Sequence, residues 1–273
     1  MSVELANLIA NFETLWPIEG AEEWDAPGLI TGAADARISR VLLTVDVTNE
    51  IVDEAIDGGF DLILAHHPYL LRGVQTLSES TNKGFVLSKA IRGKVAIYAA
   101  HTNADIVVGG VSHVMAEAFG VQKAKPLVPS EDRSVGHGRI GELSTPMQLG
   151  EFARLIAKVL PSTATGVRVA GDYEQIIQKV AVCGGAGDSF IAAAAEAGAD
   201  VYVTSDLRHH PVQDAREQEI ASGNSMALID VAHWSSEWLW LEVAAEQLAK
   251  KFSNLQFVVS QLRTDPWDFA ITQ

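Results

Sequence analysis

Six residues of this sequence have the types and spacing to do chemistry together. His66 and His67 open a His-His-Pro triplet, His101 is followed four residues later by Asp105, and His233 is followed four residues later by Glu237. Four imidazoles and two carboxylates suit a borderline divalent ion such as Zn, Mn, Fe or Ni, because imidazole favours transition metals and a carboxylate can bridge two of them. Adjacent histidines on extended backbone point to opposite sides. His66 and His67 therefore serve either two different metals or as one ligand and one supporting group. If the chain has entered a helix by Trp234, the four-residue spacing puts His233 and Glu237 on one helical face. Each residue also has an ordinary alternative: a histidine at a strand end is commonly a hydrogen-bonded loop residue, Asp105 suits a helix cap, and Glu237 suits the third position of a capping box. Their shared placement is what favours the metal.

That placement follows from the elements around them. RVLLTVD is short, β-branched and bounded by polar residues, so it reads as a buried strand. NEIVDEAIDGG fits an amphipathic helix, with Thr48 or Asn49 as its N-cap and Gly58-Gly59 as its stop. FDLILA is a second strand and ends directly on His66. KGFVLSKAIRGK is a helix, VAIYAA a strand that ends on His101, and GGVSHVMAEAFG another helix. From about 121 to 171 the chain reads as loop with one short strand, then the helix MQLGEFARLIAKVLP. After Gln178 the alternation returns: strand KVAVCGG, helix DSFIAAAAEAG, strand ADVYVT, helix AREQEIASG, strand MALIDVA ending on His233, and the long helix SSEWLWLEVAAEQLAKKF. In open α/β sheets, loops at the carboxyl ends of strands carry the functional groups. All six residues lie at or just after such ends.

The two halves also resemble each other. Val41 to Asp61 and Val180 to Asp200 each run strand, turn, helix and Gly-x-Asp over the same length, and each half goes on to a histidine-rich stretch and a His-x-x-x-carboxylate. The expected fold is α/β, with two similar subdomains and mostly parallel sheets. The expected organisation is a first α/β unit over 1–125, a middle segment and second unit over 126–225, and a C-terminal segment, 226–273, that returns to complete the metal site.

Composition narrows the function. The 273 residues carry 20 Lys plus Arg against 35 Asp plus Glu, a formal charge of −15, which argues against wrapping nucleic acid or docking on anionic lipid. A single cysteine, Cys183, allows no internal disulfide and suits a reducing compartment. The N-terminus has helical apolar spacing without the basic start of a signal peptide, and no apolar run approaches the ~20 residues of a spanning helix. A cytoplasmic protein is the expectation.

The motifs LLTVDVTNEIVDEAI, DLILAHHP, HTNAD, CGGAGDSF and DVAHWSSE, together with EEWDAPGL near the N-terminus, resemble in order those of the NIF-three-like proteins of the YbgI type, often named GTP cyclohydrolase I type 2 homologues. The likeness covers nearly the whole chain. It implies a dinuclear metal site with His66, His67, Asp105, His233 and Glu237 as ligands, His101 close by in a supporting role, and a toroidal homohexamer. One departure stands out: where many relatives have Thr-Gly-Asp or Thr-Gly-Glu, this chain reads Thr204-Ser205-Asp206, which puts the loop's geometry in question. The middle segment is also too short for the inserted domain of longer relatives.

Other candidates are weaker. CGGAGDS, between a strand and a helix, could offer backbone amides to a phosphate but lacks a Walker lysine, and a tight turn explains it equally well. Cys183 reads as a packed residue rather than a nucleophile, and the Trp-rich SSEWLWLEV as core or subunit contact rather than a base-stacking surface. Asp206, His209 and His210 suit either substrate contact or solvent. The first functional expectation is a metal-dependent hydrolase of a nucleotide or related phosphorylated small molecule, with His101, His209 or His210 moving the proton. The rival is a non-enzymatic scaffold that stores or delivers metal or binds a partner.

Overall fold

The computed structural model describes residues 2–223 and 226–272. Its elements run β1 (Val3–Glu4), α1 (Leu5–Leu15), β2 (Gly28–Thr31), β3 (Arg37–Ile38), β4 (Arg40–Thr44), α2 (Asn49–Asp57), β5 (Leu62–Ala65), α3 (Asn82–Arg92), β6 (Ala96–Ala99), α4 (Thr102–Asp105) and α5 (Val111–Ala118). They continue with β7 (Val121–Pro129), β8 (Gly136–Gln148), α6 (Leu149–Val159), β9 (Arg168–Ala170), β10 (Ile176–Ala186), α7 (Ile191–Glu196), β11 (Val201–Ser205), α8 (His209–Ser222), β12 (Ala227–Val231), α9 (His233–Lys251) and β13 (Gln256–Val259). The chain forms two units, Met1–Ala104 with Leu241–Thr264, and Asp105–Trp240 with Asp265–Gln273. It is a mixed α/β fold whose sheets are parallel at their centres. No helix among the described residues is long and apolar enough to cross a membrane.

The first unit holds a five-stranded sheet in the order β13-β4-β5-β6-β2, parallel except for the edge strand β2. Strands β5 and β6 are buried along their whole length, as continuous apolar runs in a parallel sheet should be. Side chains alternate between the faces. Ile63 and Ile97 pack with Ile51, Val52 and Ala55 of α2 and Val86 and Leu87 of α3, whereas the Tyr98 ring lies 5.0 Å from that of Phe12 on α1. Thr48 caps α2, its hydroxyl accepting from Ile51 N at 3.2 Å, and Gly59 turns the chain with φ +65°. The sequence did not mark β13, which adds to β4 in parallel.

In the second unit the six-stranded sheet runs β7-β8-β10-β11-β12-β9, with β10, β11 and β12 parallel and the outer pairings antiparallel. Val180, Val182, Val201, Val203 and Ile229 face α5 and α6. The intervening Ala181, Cys183, Tyr202 and Leu228 face Ile191 and Ala194 of α7 and Val212 of α8. The stretch after Val121, expected to be loop with one short strand, is instead a long hairpin, β7 with β8. Polar and apolar residues are mixed along β7, and Pro126 and Pro129 interrupt the alternation, so the period-two signal is lost. At Gly136 the two strands come so close that a Cβ would lie 2.2 Å from the Val128 carbonyl oxygen. The helix expected over AREQEIASG starts earlier, at His209.

The repeat is visible in matched bonds. Strand β4 pairs with β5 as Val41 with Leu62, and β10 pairs with β11 as Val180 with Val201. Asp61 Oδ2 accepts from Ser39 N at 2.7 Å and Arg40 N at 3.0 Å; Asp200 Oδ2 accepts from Gln178 N at 2.8 Å and Lys179 N at 2.7 Å. Arg40 donates to the Gly58 carbonyl and Lys179 to that of Ala197. This common register sets His66-His67 against Ser205-Asp206. His209-His210 have no such equivalence, since they begin α8.

Candidate metal centre

In the first unit, His66 and His67 leave the end of β5 and His101 leaves the end of β6. The three imidazoles cluster, with ring centroids 5.1 to 5.3 Å apart and one nitrogen from each within 4.8 Å of the others. All three rings are held through Nδ1: His66 by the Ala100 carbonyl at 2.9 Å, His67 by Asp46 Oδ1 at 2.8 Å, and His101 by Asp25 Oδ1 at 2.7 Å. A neutral imidazole anchored by an Nδ1–H donor carries its lone pair on Nε2, the arrangement used by metal-ligating histidines. This donor chemistry fits a divalent transition metal.

The anchors are themselves fixed. Asp46 accepts from Thr264 at 2.6 Å on its second oxygen. Asp25 takes Thr102 N at 3.1 Å and the Thr102 hydroxyl. Burial raises the pKa of Asp25, but bonds from His101, Thr102 and Ala26 outweigh it and bring the value down to about 2. The segment HTNAD is a compact device: Asn103 Oδ1 accepts from His101 N at 2.9 Å while its amide donates to the Trp16 carbonyl at 2.7 Å.

In the second unit, His233 is the first residue of α9, and one helical turn later Glu237 Oε1 lies 2.9 Å from its Nε2. Nδ1 of His233 lies 2.7 Å from Asp206 Oδ2, so a fourth ring has the same anchoring. Burial works against a charge on this ring, but Glu237 and Asp206 prevail and hold its pKa well above the usual value. Asp206 occupies the unusual Thr-Ser-Asp loop and adopts φ +55° without a glycine before it. The loop remains formed, since Ser205 is buried and its hydroxyl lies 3.2 Å from that of Ser236. Asp105 lies in the same unit as Arg139, whose buried guanidinium donates to the carbonyls of Ile106 at 2.9 Å and Val107 at 2.7 Å, fixing the backbone just past Asp105.

CGGAGDS lies against the His233–Glu237 pair. Gly185 has φ +68°, and a Cβ there would stand 2.6 Å from Glu237 Oε1 and 3.4 Å from His233 Nε2, so the bare backbone makes room for the pair. Cys183 is packed as expected, and burial pushes its thiol up to about 12. Of the two tryptophans in SSEWLWLEV, Trp240 is buried and Trp238 is half-buried. His209 and His210 are exposed and edge-on to each other at 5.2 Å. Sequence reasoning missed Asp25 and Asp46 as anchors. Asp25 belongs to the Trp-Asp motif and Asp46 ends RVLLTVD, so each had a visible but unassigned signal.

The likeness to known proteins runs along nearly the whole chain. A Streptomyces coelicolor protein named GTP cyclohydrolase 1 type 2 homolog is 44% identical over 270 residues, covering 96% of this chain and 93% of its own. A Clostridium perfringens protein of the same name is 33% identical, covering 98% of this chain and 100% of its own. The crystal structure of a Bacillus cereus protein related to NIF3 superposes with a TM-score of 0.89 at 27% identity, covering 98% of this chain and 99% of that one. The sequence profile of Duf34/NIF3 (NGG1p interacting factor 3) matches residues 3–266, and the chain belongs to that family.

Proposed function

We propose that this chain is a metal-dependent hydrolase that holds two divalent transition-metal ions through His66, His67, Asp105, His233 and Glu237 and acts on a nucleotide or a related phosphorylated small molecule. The observation that carries the reading is the shared anchoring of four imidazoles by Nδ1, on Ala100 O, Asp46, Asp25 and Asp206, which orients Nε2 in each. The relatives named GTP cyclohydrolase 1 type 2 homolog support the class of reaction. Bound divalent ions supply Lewis acidity, which acidifies water and stabilises developing negative charge.

The protein's own groups complete this chemistry. His101, oriented by the ionised Asp25, is placed to accept and return a proton at Nε2. Asp46 and Asp206 keep His67 and His233 in position. Arg139 and Gly185 set the backbone beside Asp105 and the space beside Glu237. The cytoplasmic setting and the toroidal homohexamer implied by the resemblance belong to this same reading.

Elemental analysis of the purified protein beside Asp105→Ala and Glu237→Ala, followed by a screen of nucleotides for hydrolysis, tests it. About two metal equivalents per chain, lost in the variants, with chelator-sensitive turnover, is the expected result. Absence of metal after reconstitution would sink the ligand assignment. Stoichiometric metal with no turnover would favour the scaffold reading.

A further inference from the structure

A second feature of the Asp105–Trp240 unit is a cavity of about 300 Å³ at the sheet edge formed by β9, under the start of α8. Its lining runs against the charge of the whole protein: three arginines, Arg168, Arg208 and Arg216, face one carboxylate, Asp230, in a chain with a net charge of −15. Asp230 does not oppose an anion there. Its Oδ2 is taken by Arg168, with Nε at 2.9 Å, and its Oδ1 by Leu207 N at 2.8 Å. Arg208 is paired with Asp188 through Nε at 2.6 Å. Each of these guanidiniums keeps donors beyond those spent on its carboxylate, because the group has five. Arg216 has no ion-pair partner among the described residues, and His209 and Gln213 add polar groups to the wall.

The rest of the lining is apolar, with Leu207 and Val212 contributing. The volume lies at the lower end of the ~300–1,000 Å³ typical of small-ligand pockets, enough for one small metabolite and too little for a polymer. Planar, forked guanidiniums match a phosphate, and an apolar wall matches an uncharged organic body.

We infer that this cavity is a binding site for a phosphate monoester with an apolar or aromatic body, of the size of a nucleoside monophosphate. The site is separate from the metal reading, since none of the proposed ligands lines it. It gives His209 a role that the metal centre does not.

The test is calorimetric titration of the full chain, as purified, with guanosine 5′-monophosphate, inorganic phosphate and guanosine. Saturable binding of the monophosphate, weaker binding of phosphate and none of guanosine are expected. The Arg208→Ala/Arg216→Ala variant changes two exposed side chains. It should weaken monophosphate binding by about tenfold or more with metal content unchanged, and Glu237→Ala should bind as the wild type does. Equal affinity in the arginine variant, loss of binding in Glu237→Ala, or no saturable binding by the wild type would overturn the inference.

Discussion

In the first unit the parallel pair β4–β5 ends on His66-His67, and in the second unit the pair β10–β11, in the same register, ends on Ser205-Asp206. An imidazole at the last of these positions in one unit, His67, is matched by a carboxylate in the other, Asp206, and that carboxylate anchors an imidazole from the next strand end, His233. His67 in turn takes its anchor from Asp46, at the end of the preceding strand. The strand ends of one repeated framework thus decide where polar groups emerge, while the residue at each end decides whether it supplies a donor or holds one. The anchors also differ in firmness: Asp46 is tied on both oxygens and its side chain is 34% exposed, whereas that of Asp206 is 61% exposed.

The harshest way to break the comparison is at the turns. Gly185 and Gly59 both have positive φ, but a Cβ at Gly59 meets nothing closer than Arg40 NH1 at 3.6 Å, whereas at Gly185 it stands 2.6 Å from Glu237 Oε1. The Glu237 carboxylate is the end of a flexible side chain, so in Gly185→Ala it yields and separates from His233. Metal content should fall to that of Glu237→Ala while the circular dichroism spectrum stays native. Gly59→Ala should cost about 1 kcal/mol in a urea melt and leave metal content untouched. Normal metal content in Gly185→Ala would show that the glycine is not there for the centre.

A milder test sharpens the contrast between the anchors. Replacing a residue that orients a metal-ligating histidine typically costs about 10–100-fold in metal affinity. Asp46→Asn should fall near the upper end, because a doubly bonded carboxylate is lost. Asp206→Asn should fall near the lower end, because its exposed charge is screened by water and salt. Competition with a chelating dye measures both. The reverse order would mean that exposure is a poor guide to which anchor matters.

The sequence made the central strands plain, because FDLILA and KVAVCGG are continuous apolar runs, and Thr48 announced the start of α2. The placement of the presumed ligands at strand ends was legible for the same reason. The anchors were harder to see: Asp25 pairs with a histidine 76 residues away, Asp46 with one 21 away and Asp206 with one 27 away, and no local period encodes such pairs. The hairpin β7–β8 escaped because its buried residues Val121, Leu127, Ile140 and Leu143 are spaced irregularly among polar residues, glycines and prolines, so no period announces them. The role of Gly185 could not be read from the glycine cluster alone, since a phosphate loop and a turn cleared for a carboxylate use the same residue.

The smallest effect tests the repeat itself. Asp61 holds the backbone at the start of β4 and Asp200 holds it within β10, but Asp61 also accepts from the Ser39 hydroxyl at 2.8 Å, a third bond to the same oxygen. Removing either carboxylate strands backbone N–H groups and should cost roughly 1–3 kcal/mol. The extra bond makes Asp61→Ala the more destabilising by about 1 kcal/mol, with metal content preserved in both variants. Urea melts of the two single variants and the double variant measure the difference. Because the two sites share no bonding partner, their effects should add. If one variant unfolds its unit and the other is silent, the matched bonds are not equivalent supports, and the two frames are alike in outline only.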